Sequence, residues 1–123
     1  MDRMSLEVRA SMILLAGDED AELPPEPDDE EVHVVLPGPE AIYVSGRVEF
    51  DAATLIRIAD RATADVGDLT HAYSGELATP DRRLQILSTD FDVLGQVDVP
   101  TTSTLVSIYL TDLVEPDEIL VAL

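Results

Sequence analysis

The sequence predicts an all-β fold, mainly antiparallel, built as one sandwich or small barrel of roughly six to eight short strands. Three observations predict it. Apolar and polar residues alternate in most of the patterned segments, the signature of a strand with one buried face. Turn residues recur between those segments at spacings of about ten residues. The apolar content, 46% of 123 residues, is Val, Ile, Leu and Ala with three Met, two Phe, three Tyr and no Trp, and β-branched aliphatics suit a pleated core. A chain of this length buries a real core as one domain, 1–123. Its mean hydropathy of +0.10 sets it apart from disordered chains despite a formal charge of −19.

Leu6 to Leu15 reads as the first strand, with Leu6, Val8, Ala10, Met12 and Leu14 on one face. Its other face begins polar with Glu7 and Arg9 and ends apolar with Ile13 and Leu15, which predicts a central strand covered on both sides at its C-terminal half. A mobile acidic loop is expected at 17–31: nine of the fourteen residues from Asp18 to Glu31 are acids, and Pro24, Pro25 and Pro27 deny the backbone helix geometry and ladder donors. Val32 to Leu36 is a short strand, and Pro37-Gly38-Pro39 is a turn. Ala41 to Phe50 gives the cleanest alternation, with Ile42, Val44, Val48 and Phe50 on the buried face and Gly46 interrupting it.

Two structures fit Asp51 to Val66. Asp51 can cap a short helix near residues 52–64 whose stripe is Leu55, Ile58, Ala62 and Val66, or Thr54 to Ala59 can form a strand. A short strand at Glu76 to Ala78 and a Thr79-Pro80-Asp81 turn follow. Strands then come at Arg83 to Ser88, Phe91 to Val99 and Thr104 to Leu110. Ile119 to Leu123 adds an edge strand or a docked tail.

With no cysteine, disulfides, thiolate metal sites and Cys nucleophiles are excluded, which favours a cytoplasmic address. The longest N-terminal apolar run, Met12 to Ala16, is too short for a signal-peptide core or a membrane span. His33 and His71 do not stand in a metal-ligand spacing, and no metal or other cofactor is expected. His71 and Ser74, with Asp65 or Asp68, can be written as a Ser, His and acid set, but no strand-turn-helix motif presents Ser74 as a nucleophile. Asp90, Asp92 and Gly95 start like a calcium loop, which fails at Leu94 and Thr101; a looser site on Asp90, Asp92 and Asp98 is the remaining metal alternative. No catalytic residue is assigned, and the chain is expected not to be an enzyme.

The dominant signal is charge: 26 acids against seven basic residues, all Arg. Without the acids of Asp18 to Glu31, 17 still face seven arginines, so the acidity belongs to the whole surface. Nucleic acid and anionic membranes are excluded as direct partners, since both need a basic stripe. A basic protein is the expected partner: a nuclease or toxin must carry a positive groove for phosphate, and a small acidic inhibitor or immunity protein can mask it. The expected contacts are Asp28, Asp29, Glu30 and Glu31 of the loop, and Asp90, Asp92, Asp112, Glu115, Asp117 and Glu118 at strand edges.

Gly46-Arg47-Val48-Glu49-Phe50, then Leu55-Ile56-Arg57-Ile58, then Asp98-Val99-Pro100 leading into Leu105 to Tyr109, resemble the competence protein J type of β-sandwich. The resemblance covers about Gly46 to Leu113 and departs at Thr101 to Thr104, where such proteins tend to have glycine after the proline. It implies a strand at Thr54 and a prokaryotic nuclease inhibitor. Two other readings accompany it. Zero Lys also suits a high-salt cytoplasm or a GC-rich genome, in which case the acidity keeps the surface hydrated. A structural or accessory subunit, homo-oligomeric through a free apolar edge at Ile119 to Leu123, is the third.

Overall fold

A computed structural model describes residues 2–8, 12–18, 21–24, 35–45, 54–62, 64, 66–88, 92–111 and 118–123. They form ten strands and, among the described residues, no helix. The strands are β1 (Asp2–Val8), β2 (Met12–Ala16), β3 (Val35–Pro37), β4 (Ala41–Ser45), β5 (Thr54–Ala59), β6 (Thr70–Ala78), β7 (Arg83–Leu87), β8 (Val93–Asp98), β9 (Ser103–Leu110) and β10 (Glu118–Ala122). Sheet A has the order β1-β5-β10-β9-β6 and sheet B the order β3-β4-β2-β7-β8. Every pair is antiparallel except β5 with β10, so sheet A is mixed.

Alternation builds the core between the sheets. Ile56 and Ile58 of β5, Val106, Ile108 and Leu110 of β9, and Ile119 and Val121 of β10 meet Leu15, Ile42, Val44, Leu84 and Ile86 of sheet B in one buried cluster. Each of these strands contributes every second residue, as a pleat requires. A smaller cluster of Leu14, Ala16, Ala41 and Leu87 is buried on the outer face of sheet B, with Ala21 packed against it. That cover explains why β2 is buried on both faces, as its continuous apolar run predicts.

The sandwich has more strands than the six to eight expected, and four local expectations change with it. Leu6 to Leu15 is not one strand: β1 is an edge of sheet A and β2 the centre of sheet B. The inward residues are Leu6 and Val8 on β1 but Ile13 and Leu15 on β2, with Leu14 on the outer face, and because β2 is apolar on both faces the sequence alternation hides this change of phase. The helix alternative at 52–64 is overturned by β5, where Thr54, Ile56 and Ile58 are buried and Leu55 and Arg57 half-buried. β6 runs nine residues rather than three, and a bulge between His71 and Tyr73 hides its alternation. Finally, β10 is no edge: it is hydrogen-bonded to β5 on one side and β9 on the other. The C-terminal half of the Ala41 to Phe50 strand lies outside the described residues.

The crossing from β6 to β7 is held by polar contacts. Arg82 N–H closes the Thr79 to Arg82 turn on the Thr79 carbonyl, with Arg82 itself at φ 56°. Thr79, fully buried, donates its hydroxyl proton to the Thr101 carbonyl at 2.8 Å and so accepts from Thr104 Oγ1 at 2.9 Å. Thr79→Val keeps the shape but leaves the buried Thr104 hydroxyl without this partner, a loss of about 1–3 kcal/mol. In urea denaturation we expect a lower midpoint with an unchanged m-value; an unchanged midpoint would show that this hydroxyl finds another partner.

Candidate functional site

The strand directions divide the sandwich into two ends. β6 leads through the Thr79 to Arg82 turn into β7, and β8 leads through Val99 to Thr102 into β9, so these four strand termini share one end. The termini at Leu87, Val93, Leu110 and Thr70 therefore share the other. Four of the seven arginines stand at the turn end: Arg82 and Arg83, Arg3, which reaches the Asp98 carbonyl at 2.6 Å and Asp60 at 3.6 Å, and Arg61, which donates to the Leu105 carbonyl at 3.5 Å. Arg3 and Arg61 line an open cleft of about 230 Å³ with Asp60, Val99, Thr101 and Leu105. No local pattern marks this cleft, because its residues come from β1, the 60–61 segment, the β8–β9 connection and β9.

Of the acids expected to meet a partner, two are described. Asp92 is exposed at the far end, its N–H bonded to Ser88 Oγ at 3.2 Å and its carbonyl accepting from Ser88 N–H at 2.9 Å. Glu118 begins β10 at the same end and lies 3.8 Å from Arg57 Nε, so part of its charge is met within the chain. Asp28, Asp29, Glu30, Glu31, Asp90, Asp112, Glu115 and Asp117, with His33, lie outside the described residues. In sequence, Asp90 falls between Ser88 and Asp92, and Asp112, Glu115 and Asp117 between Thr111 and Glu118, all of them strand-end residues at the end away from the four arginines.

The looser calcium alternative does not survive the geometry. Asp92 precedes β8 and Asp98 ends it, about 20 Å apart at the usual rise per strand residue. Among the described residues no three His, Cys, Asp or Glu side chains converge.

The structure does bring together half of the His and Ser set. The bulge after His71 adds a residue, which places His71 and Ser74 on one face although three positions apart. His71 Nε2 and Ser74 Oγ are 2.6 Å apart, and Ser74 Oγ shares a second hydrogen bond with Ser107 Oγ at 2.8 Å. The Tyr109 ring meets His71 edge-on. Asp65 lies outside the described residues, and among those described no carboxylate bonds the imidazole. The trio is the polar ladder of the β6–β9 pair, with His71 and Ser74 exposed and Ser107 buried beneath them.

Beside the acids, the outer face of sheet B carries an apolar row. Leu36 pairs with Tyr43, Tyr43 with Leu14, Leu14 with Leu87 and Leu87 with Val93, a row across all five strands. Outer faces of sandwiches normally carry polar residues at such positions. The centre of this row is covered, but Val93 is 43% exposed, and Leu94 next to it 37%.

No family model and no curated protein sequence matches the chain. A search of solved structures finds the crystal structure of ComJ from Bacillus subtilis, an inhibitor of the DNA-degrading activity of NucA. The two superpose with a TM-score of 0.62 at 13% identity, over 99% of this chain and 95% of ComJ. The resemblance read from the Gly46 to Leu113 pattern thus extends over the whole chain, and this acidic sandwich has the fold of a nuclease inhibitor.

Proposed function

We propose that the protein is an inhibitor of a nuclease, binding the basic surface with which that enzyme holds DNA. The observation that carries the reading is the end-to-end likeness to ComJ in a chain whose formal charge is −19. A nuclease needs cations along the phosphate path, so an acidic partner gains both fast steered association and electrostatic complementarity there. The described acids at the end away from Arg3, Arg61, Arg82 and Arg83, which are Asp92 and Glu118, supply that charge together with the acids beside them in sequence, Asp90, Asp112, Glu115 and Asp117. The loop acids Asp28, Asp29, Glu30 and Glu31 belong to the same proposed contact.

The test is to titrate the protein into two DNA-degrading activities, NucA and the cell extract of the protein's own host, following cleavage of a linear duplex. The host activity should fall, and the concentration for half-inhibition should rise on the order of tenfold between about 0.1 and about 0.5 M salt, as screening shortens the reach of the charges. A folded protein that slows neither activity at low salt would leave the acidity as a device for surface hydration, the reading that the absence of Lys also supports.

A further inference from the structure

We propose that Val93 and Leu94, at the end of β8 beside Asp92, form the apolar anchor by which the protein seats on its basic nuclease partner. The inference rests on the inhibitor reading and names its surface. Tight interfaces take most of their energy from a few desolvated apolar groups inside a polar rim, while charge sets orientation and rate. A surface that carried charge alone would steer a partner without holding it.

The described residues expose four large apolar side chains, Leu23, Val93, Leu94 and Leu105, and their surroundings separate them. Leu105, the most exposed at 49%, lines the cleft with Arg3 and Arg61, the wrong charge for a basic partner. Among the described residues Leu23 has no exposed apolar neighbour in sequence, since Glu22 is polar and Pro24 buried. Val93 and Leu94 are adjacent, follow the exposed Asp92, and lie at the end away from Arg3, Arg61, Arg82 and Arg83.

Their exposure is built into the sheet. Leu87 pairs with Val93 while Ile86 pairs with Gly95, so Leu94 is the extra residue of a bulge. Val93 is the last member of the apolar row Leu36-Tyr43-Leu14-Leu87-Val93 and the point at which it emerges from its cover. Gly95 keeps the strand seated from behind, since its Cα faces Met4 and Leu6 of β1. A second copy of the chain is a poor occupant: it brings another −19 to the same place, and the bulge interrupts the regular ladder that edge pairing needs.

The experiment is the half-inhibition titration on the host extract with Val93→Ser/Leu94→Ser, Leu94→Lys and Leu105→Ser, each shown folded by circular dichroism. We expect the double variant to need on the order of 30-fold more protein or worse, as loss of an interface hot spot does. Leu94→Lys, which alters only the extra bulge residue, should be weakened as well, and Leu105→Ser should stay within about twofold of the parent, as contacts outside a hot spot do. Parental potency in both β8 variants, or a loss confined to Leu105→Ser, overturns the assignment. So does a parent protein that sediments as a dimer and becomes monomeric in the double variant, since the corner would then join two copies. A parent that does not inhibit at all removes the inhibitor reading itself, and this surface with it.

Discussion

Removing Ile119 to Leu123 is expected to leave a chain that does not fold. The segment is the middle strand of sheet A, paired in parallel with β5 from Glu118 to Ala122 and antiparallel with β9 from Ile119 to Ala122. Without it β1 and β5 on one side and β9 and β6 on the other have no hydrogen-bonded connection within the sheet. Ile119, Leu120 and Val121 are all fully buried. Truncating one such side chain to alanine costs about 2–5 kcal/mol, so three lie within the range of a whole domain's stability, about 5–15 kcal/mol. The lost ladder adds to that. The measurement is urea denaturation followed by circular dichroism: the truncated chain should show no cooperative transition, whereas Leu120→Ala should keep one with a lower midpoint. A truncated protein with a native spectrum and a cooperative transition would show that β10 is dispensable. The same geometry removes the premise of the accessory-subunit reading, because an apolar tail between two strands offers no free edge for another chain.

How the sequence announced this fold, and where it did not, follows from what periodicity encodes. Ile42 and Val44, Leu84 and Ile86, and Val106 and Ile108 alternate because one face meets the opposite sheet, and all six enter the central cluster. Neighbour relations are not encoded that way. Ile119-Leu120-Val121-Ala122 is apolar on both faces, which separates a central strand from an edge strand only once its cover is known; in sequence it fits an edge strand or a docked tail equally. Arg57, half-buried on the outer face of β5, made the run from Leu55 to Ile58 ambiguous between period two and a helical stripe, and the sheet partners on both sides decide it. The site was legible as charge and not as shape. Acids stand in the sequence for anyone to count, but Val93 and Leu94 become conspicuous only when Leu87 is seen opposite Val93, with a bulge between. The cleft at Arg3 and Arg61 is assembled from segments about a hundred residues apart along the chain, and no local pattern could mark it.

Gly17→Ala is expected to destabilise the protein by several times as much as Gly95→Ala, although both glycines leave no room for a methyl group. At Gly17, which follows the central strand of sheet B, a Cβ would run into the Ala78 carbonyl oxygen and stand 2.8 Å from Thr79 Cα. Both obstacles are backbone, and that backbone is held on several sides: Ala78 N–H bonds the Pro39 carbonyl, Thr79 N–H the Thr102 carbonyl, and the Thr79 carbonyl accepts from Arg82. The wall includes the β6–β7 crossing that joins the two sheets, so any movement that relieves the clash disturbs the joint. Overpacking of this kind costs about 1–3 kcal/mol and more where nothing can give. At Gly95 the nearest atoms are Met4 Cε at 2.7 Å and Sδ at 2.8 Å, the far end of an unbranched side chain with three rotatable bonds. Met4 can turn aside, and alanine there also suits a strand better than glycine, so the net change should stay below about 1 kcal/mol. Parallel urea titrations of the two variants measure the difference directly. Equal losses would mean that the Ala78 to Arg82 backbone yields as readily as a methionine side chain, and that the joint between the sheets is softer than its hydrogen bonds indicate.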